Sequence, residues 1–318
     1  MFNTSWSIAP STQIQIASYF LPFYIANTIL STILNAVIII VTIRSKEFRN
    51  VSNILIAVQA AGDLFITWDI PYLAYNTLKK RFVPMSTCFF FQLIPTLAMN
   101  TTTVTMLMIG VDRYLLITHS KWYISLNKKL YLSILFFIGS TYIFVVMCGN
   151  YLTRTEDDVL CFITDAMAGR GKDAWAFTQC LINIAVIVVY SRAKMALQKQ
   201  RLVKDTDAKK IFKSVYLIMV FYMCGWMTSI MLLLPARILI TDIHLTGIVE
   251  LGLALFAATN LLVPFFVYYF QSPMYKREIR KLLRLRIDRR VGAGGSIFSL
   301  RSPNPTGSNY RVYTNPHA

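Results

Sequence analysis

Residues 86–117 read STCFFFQLIPTLAMNTTTVTMLMIGVDRYLLI, uncharged until Asp112-Arg113 near the end. A helix that crosses a bilayer needs about 20 mostly apolar residues, and this run exceeds that before it closes on Asp112-Arg113-Tyr114. Six further runs have the same character, at 17–43, 51–77, 129–152, 173–197, 212–238 and 244–270. The expected fold is an all-α membrane protein, a seven-transmembrane helix bundle over 17–270. Several runs are longer than a bilayer requires, which allows tilt or extension beyond the lipid.

The composition of the whole chain agrees. Its 318 residues are 55% hydrophobic and 15% charged, with a mean hydropathy of +0.51 and a net charge of +17. Globular chains average about 45–50% apolar and about 25% charged. Residues 8–43 contain no charge at all, so the charge is segregated along the chain. That excludes a disordered chain and a uniformly basic nucleic-acid protein, and it counts against an ordinary soluble enzyme. Five cysteines are too few for a disulfide-rich scaffold. The first run lacks a basic leader and is too long for a signal peptide, so it is expected to stay as a membrane anchor. No internal repeat is visible, which counts against an inverted-repeat transporter.

Lys and Arg set the expected orientation. Seven spans put the termini on opposite sides. Of 32 basic residues, 25 fall on the side of the C-terminal tail: 3 in the first loop, 4 from Arg113 to Lys129, 8 in 191–213 and 10 in 271–318. The other side keeps Lys79, Lys80, Arg81, Arg154, Arg170, Lys172 and Arg237. The N-terminus (1–16) is therefore expected outside and the tail in the cytoplasm. The excess basic charge then faces anionic inner-leaflet lipid, and no nucleic acid is needed to explain it.

After the seventh span, Ser272-Pro273 reads as an N-cap followed by proline at the first helical position. Tyr275, Ile279, Leu282 and Leu283 then fall on one face and basic residues largely on the other, which predicts an amphipathic cytoplasmic helix over 271–290. Residues 291–318 are rich in Gly, Ser, Pro and Asn and are expected to be disordered. Gly292-Ala293-Gly294-Gly295 follows no strand, so it is not a phosphate cradle.

Ionisable groups inside a span cost at least about 2.5–3.5 kcal/mol on insertion scales. Asp63 in mid-span 2, Asp112 and Arg113 at the end of span 3, and Asp69 and Glu250 toward the outer halves of spans 2 and 7 are thus functional candidates. His119, His244 and His317 are scattered, with neither metal spacing nor a nucleophile beside a base, so no enzymatic chemistry is expected.

The ensemble resembles a rhodopsin-like G-protein-coupled receptor. In that family a cysteine precedes the span-3 arginine by 25 residues, the spacing of Cys88 and Arg113, and its disulfide partner lies between spans 4 and 5, where Cys161 sits. Asn35 and Asp63 fit the polar residues of spans 1 and 2. Cys224-Gly225-Trp226 resembles the span-6 tryptophan motif, and Tyr268, seven residues before Tyr275, fits the span-7 tyrosine. The match departs where the proline after Trp226 is replaced by Thr228, where spans 4 and 5 lack their tryptophan and proline, and where Pro264 and Asn260 stand in for the span-7 pair. With those departures and the segment Tyr268 to Tyr275, the chain looks most like the srsx-type nematode serpentine chemoreceptors.

The resemblance implies roles. Arg113 would pair with Asp112 at rest and, once released, contact a heterotrimeric G protein as span 6 swings out, with Tyr190 and Tyr268 accepting it and Asp207 as a second restraint. Asp63, Thr102, Asn260 and Trp226, with Asn35, resemble a sodium pocket; a protonated, hydrogen-bonded Asp63 is the rival reading. A small-molecule or peptide ligand is expected among Gln92, Pro95, Thr96 and Met99 on span 3, with Trp226 as floor and Glu250 near the mouth. Pro95 occupies the place where receptors for biogenic amines carry aspartate, which argues against a monoamine. With no Lys in span 7 an opsin is excluded. Asn3-Thr4-Ser5 is a glycosylation sequon on the outer terminus, and Ser296, Ser299, Ser302, Thr306 and Ser308 offer sites to a receptor kinase and arrestin. No cofactor other than sodium is expected. The implied location is the plasma membrane, a sensory cilium included. The outer loop 153–172 is expected to be solvated. A neuropeptide-type receptor, a transporter or ligand-gated channel, and a non-signalling scaffold are the alternatives.

Overall fold

A computed structural model describes residues 8–199 and 216–283. Among them are seven helices long and apolar enough to cross a membrane: Pro10–Arg44, Val51–Leu78, Leu93–Thr118, Lys128–Leu152, Gly169–Lys199, Tyr216–Leu239 and Ile243–Gln271. They are spans 1 to 7. Large apolar side chains such as Ile29, Phe137, Phe144, Ile238 and Phe270 are exposed on their outer faces, as hydrocarbon contact requires when the backbone is satisfied internally. Span 3 is the most buried and span 4 the least.

Three spans are interrupted, each for a local reason. In span 2, Pro71 has no N–H to offer the Thr67 carbonyl, and the helix splits into Val51–Ile66 and Asp69–Leu78. In span 7, Pro264 likewise leaves the Asn260 carbonyl without its donor, and a turn separates Ile243–Thr259 from Val263–Gln271. Span 6 carries a π-turn at Met223–Met227, just before Thr228, which stands where the resembling family places a proline.

Span 1 supplies polar groups to the broken span 7. Tyr24 donates to the Leu251 carbonyl at 2.5 Å, Asn27 to Ala258 at 3.1 Å and Asn35 to Leu261 at 2.9 Å. Asn35 thus clamps a kink. Span 1 also begins earlier than expected, at Pro10, so part of the predicted outer terminus is helical.

One end of the bundle is closed by a disulfide. A short helix Met85–Phe91 precedes span 3, and Cys88 on it bonds Cys161, with Cα atoms 5.4 Å apart. Strands β1 (Val83–Pro84) and β2 (Asp158–Val159) pair antiparallel beside it. At the other end, Ser272 caps the terminal helix Pro273–Leu282 by accepting from the Tyr275 N–H at 3.4 Å. Tyr275 stacks on Phe48 (centroids 4.4 Å) and Tyr268 (4.8 Å), and Arg277 pairs with Glu47. The remainder of the predicted 271–290 helix, with Asn3, Asp207 and the tail from residue 284 onward, lies outside the described residues.

The interior divides into two apolar clusters. One, near Arg113, contains Leu55, Met106, Ile109, Tyr190, Tyr222 and Tyr268. The other, near the disulfide, contains Tyr24, Leu73, Met99, Phe162, Trp175 and Leu251. Trp226 packs against both.

Candidate functional site

Trp226 is carried on the π-turn, and Gly225 beside it lets span 6 touch span 7. A Cβ at Gly225 would lie 2.7 Å from the Phe256 carbonyl and overlap the Asn260 side chain. In the orientation that satisfies its neighbours, the Asn260 amide donates to the Phe221 carbonyl and accepts from the Trp226 N–H, both at 2.8 Å. Two cavities meet at this point and share Ile66, Trp226, Ala257 and Leu261.

The cavity toward Arg113 holds about 30 Å³, room for one or two waters or an ion. Its lining includes Asp63, Thr102, Asn260 and Trp226, so four residues singled out from sequence converge here. Gln59, which the sequence reading missed, joins them: its Nε2 approaches Asp63 at 3.4 Å, and its buried Oε1 has no partner among the described residues. Thr102 donates to the Met99 carbonyl at 2.9 Å. An all-oxygen set of Asp63, Thr102, Asn260 and the orphaned Gln59 Oε1 fits a small hard cation. Asn35, grouped with this pocket from sequence, does not line it.

The cavity toward the disulfide holds about 60 Å³ and is bounded by spans 1, 2, 3, 6 and 7 under Phe162 and Ile163 of the 4–5 loop. Of the expected ligand residues, only Met99 and Trp226 line it. Gln92 sits at the break before span 3, fully buried, and donates to the Cys161 carbonyl at 2.9 Å. Pro95 and Thr96 are buried outside this lining. Thr96 and Pro95 lie near Asn100, which accepts from Trp175 at 3.2 Å and Gln179 at 3.0 Å and so ties span 3 to span 5. The structure therefore shifts the hollow toward spans 1 and 2, and the kink at Pro71 brings Asp69 into its wall.

Glu250 is committed elsewhere. Lys172 lies 2.6 Å from its Oε1 and Thr164 donates to its Oε2 at 2.5 Å, while Arg237 stands 3.9 Å away and pairs with Asp173 at 2.9 Å. Asp165, on the loop, is buried beside this cluster and accepts from the Phe162 N–H at 2.9 Å. Burial first and then the charge of Glu250 push its carboxyl up to about 6, with Lys172 and backbone N–H groups opposing. The expectation of a solvated outer loop holds for Glu156, Asp157, Asp158 and Arg170 and fails for Asp165 and Lys172, which are both interior.

At the far end, the resting Asp112–Arg113 pair implied by the resemblance is not formed. Successive residues on a helix point about 100° apart. Asp112, fully buried, instead accepts from Ser52 and from the Tyr123 hydroxyl, the latter at 2.7 Å. Tyr123 lies on the short helix Ser120–Ser125, and burial together with Asp112 holds its phenol above the usual range, so it remains a donor. Arg113 has no ion pair among the described residues, and its buried Nε has no partner. Its charge reaches Tyr190, Tyr268 and Tyr275. Tyr190 donates to the Met106 carbonyl at 3.3 Å, and its ring fills the space at Gly110, where a Cβ would lie 2.9 Å from Cδ2. Tyr114 is half-buried on the same turn.

Sequence reasoning missed Ser52, Gln59, Tyr123 and Lys172. For Ser52 and Tyr123 no local signal exists; a Lys next to the start of span 5 was the one available clue to the fourth. No curated protein matches the chain significantly. The family model for the serpentine type 7TM GPCR chemoreceptor Srsx matches residues 28–283, which take in the second half of span 1 and all of spans 2 to 7. By that match, which agrees with the bundle, its disulfide strap and the Asp112-Arg113-Tyr114 end, the chain belongs to the Srsx family of seven-span chemoreceptors.

Proposed function

We propose that this membrane receptor binds an extracellular small molecule in the cavity beneath the 4–5 loop and signals through Trp226 to a heterotrimeric G protein at the Asp112-Arg113-Tyr114 end. The observation that carries this reading is the position of Trp226. It forms a wall of the ligand-sized hollow and of the polar cavity around Asp63, and it rides on the π-turn of span 6. A ligand that repacks Trp226 alters both cavities and the turn together, which biases span 6 between two arrangements. Arg113, without an ion pair among the described residues and with its charge acting on Tyr190 and Tyr268, is then the group that meets the G protein.

The basic residues support a cytoplasmic Arg113 end and an outward disulfide end. A sodium ion, when bound, would stabilise one arrangement of the helices by its charge, held by Asp63, Thr102, Asn260 and Gln59. The serine-rich tail offers kinase and arrestin sites, and Asn3 a glycan.

The test is nucleotide exchange by a G protein co-reconstituted with the receptor and challenged with odorants and peptides. Ligand-driven exchange is expected, and Arg113→Ala should abolish it while ligand binding persists. Ligand-gated current with no exchange would overturn the reading in favour of a channel.

A further inference from the structure

We infer that the cavity beneath the 4–5 loop takes a small amine, its ammonium seated on Asp69. The inference rests on the receptor reading above and adds the chemical class of the ligand. Asp69 is 4% exposed, and its carboxyl group accepts from the backbone N–H groups of its own residue and Ile70. Among the described residues no Lys, Arg or His pairs with it, and no side chain hydrogen-bonds it. A carboxyl group in low-dielectric surroundings without a counter-charge ionises only at a cost, which a cation seated beside it offsets. The fold has already removed Asp69 from water, so a ligand cation recovers a strong interaction without that desolvation of the acid.

The rest of the wall agrees. It is overwhelmingly apolar and contains no basic side chain. The rings of Tyr24, Phe162 and Trp226 border it, with Tyr24 and Phe162 5.8 Å apart, and aromatic faces attract cations. Two buried polar atoms on the lining, Thr28 Oγ1 and Trp226 Nε1, have no partner among the described residues. Both can serve a ligand that also carries an acceptor. A metal ion is a poor match, since one carboxylate among apolar walls cannot replace a hydration shell. A carboxylic acid would meet the charge of Asp69. The volume, about 60 Å³, is well below the roughly 150 Å³ of a cavity that admits benzene, which restricts the amine to a few heavy atoms. Pro95 removed span 3 as the source of an anchoring aspartate; the kink at Pro71 supplies one from span 2.

The experiment uses the full-length receptor in nanodiscs at neutral pH, with its melting temperature followed against n-butylamine, n-butanol and butyrate. Butylamine is expected to raise the melting temperature and the other two to leave it unchanged. Asp69→Asn should weaken the amine effect by roughly 10- to 100-fold, the factor one charge-assisted hydrogen bond carries, and Asp69→Glu should retain it. Should Asp69→Asn fail to fold, the contrast of amine against alcohol in the wild type and the retention in Asp69→Glu decide. Equal stabilisation by butanol, stabilisation by butyrate, or an undiminished amine effect in Asp69→Asn would overturn the proposal. Nucleotide exchange on the same samples separates it from the broader reading. Exchange driven by other compounds without an amine effect overturns the amine alone. Amine binding that depends on Asp69, without exchange by any compound, upholds the site and overturns the receptor reading.

Discussion

Lys172 Nζ lies 2.6 Å from Glu250 Oε1, and the two side chains are 6% and 2% exposed. This pair joins the first turn of span 5 to span 7 inside the disulfide end of the bundle. Removing one partner of a buried pair strands the other charge, at a cost of about 3–5 kcal/mol. Lys172→Met and Glu250→Gln should each lower the stability by that order, seen as a lower melting temperature, and Lys172→Met with Glu250→Leu should recover most of the loss. The half-buried thiols of Cys148 and Cys180 report unfolding to a thiol-reactive dye.

Asp165 makes the same region sensitive to pH. Its carboxyl is pushed up to about 6, by burial before any other cause and by Glu250 next. A raised carboxyl favours the protonated form in the folded state, so the folded state binds more protons than the unfolded chain between about 4 and about 6. Stability should therefore decline as pH rises through that window and level off above it. Asp165→Asn should flatten the profile in melting curves across pH 4 to 8, about the range that brackets both values. A slope unchanged by Asp165→Asn would place the titration elsewhere.

Cys88 and Cys161 are separated by 73 residues. Loop-closure entropy for that length assigns the crosslink about 4 kcal/mol at room temperature. Cys88→Ser, Cys161→Ser and the double variant should lose similar stability, because each removes the same bond. Limited proteolysis should cut the β1–β2 region faster in all three.

Gly225 is predicted to tolerate no side chain. Gly225→Ala meets the Phe256 carbonyl, which is backbone and cannot swing away. The loss should be about 1–3 kcal/mol, as for overpacked interiors, and Asn260→Ala should not restore it. Gly110→Ala differs: its obstacle is the Tyr190 ring, so Tyr190→Leu should relieve part of the damage. Thermal melts of the four variants check both claims.

The seven spans, the disulfide and the polar cavity were legible because each leaves a one-dimensional trace. Apolar runs mark spans, the family resemblance carried the Cys88–Cys161 pairing, and intramembrane Asp63 is costly enough to point to itself. What escaped depends on contacts between distant segments. Nothing near Asp112 announces that Ser52 and Tyr123 will hold it, and Glu250 does not name Lys172. The cavity lies nearer spans 1 and 2 than the residues named from the resemblance, of which Gln92 looks polar and available in one dimension but is consumed by the Cys161 carbonyl. Thr228, read as a missing proline, gave no hint that a π-turn would take its place.

That π-turn gives span 6 a mode of motion that a proline kink lacks. It accommodates one residue more than regular α-helix in the same rise. Each residue of an α-helix corresponds to about 100° of rotation. If the surplus residue is absorbed into α-geometry, the segment bearing Tyr222 turns about the helix axis relative to the segment bearing Ser229, with the hydrogen-bond ladder intact on both sides. Tyr222 donates to Asn183 of span 5 at 2.9 Å and Ser229 to Leu253 of span 7 at 2.8 Å. Such a turn would exchange the neighbours of one while sparing the other, a twist of the helix in place of a hinge.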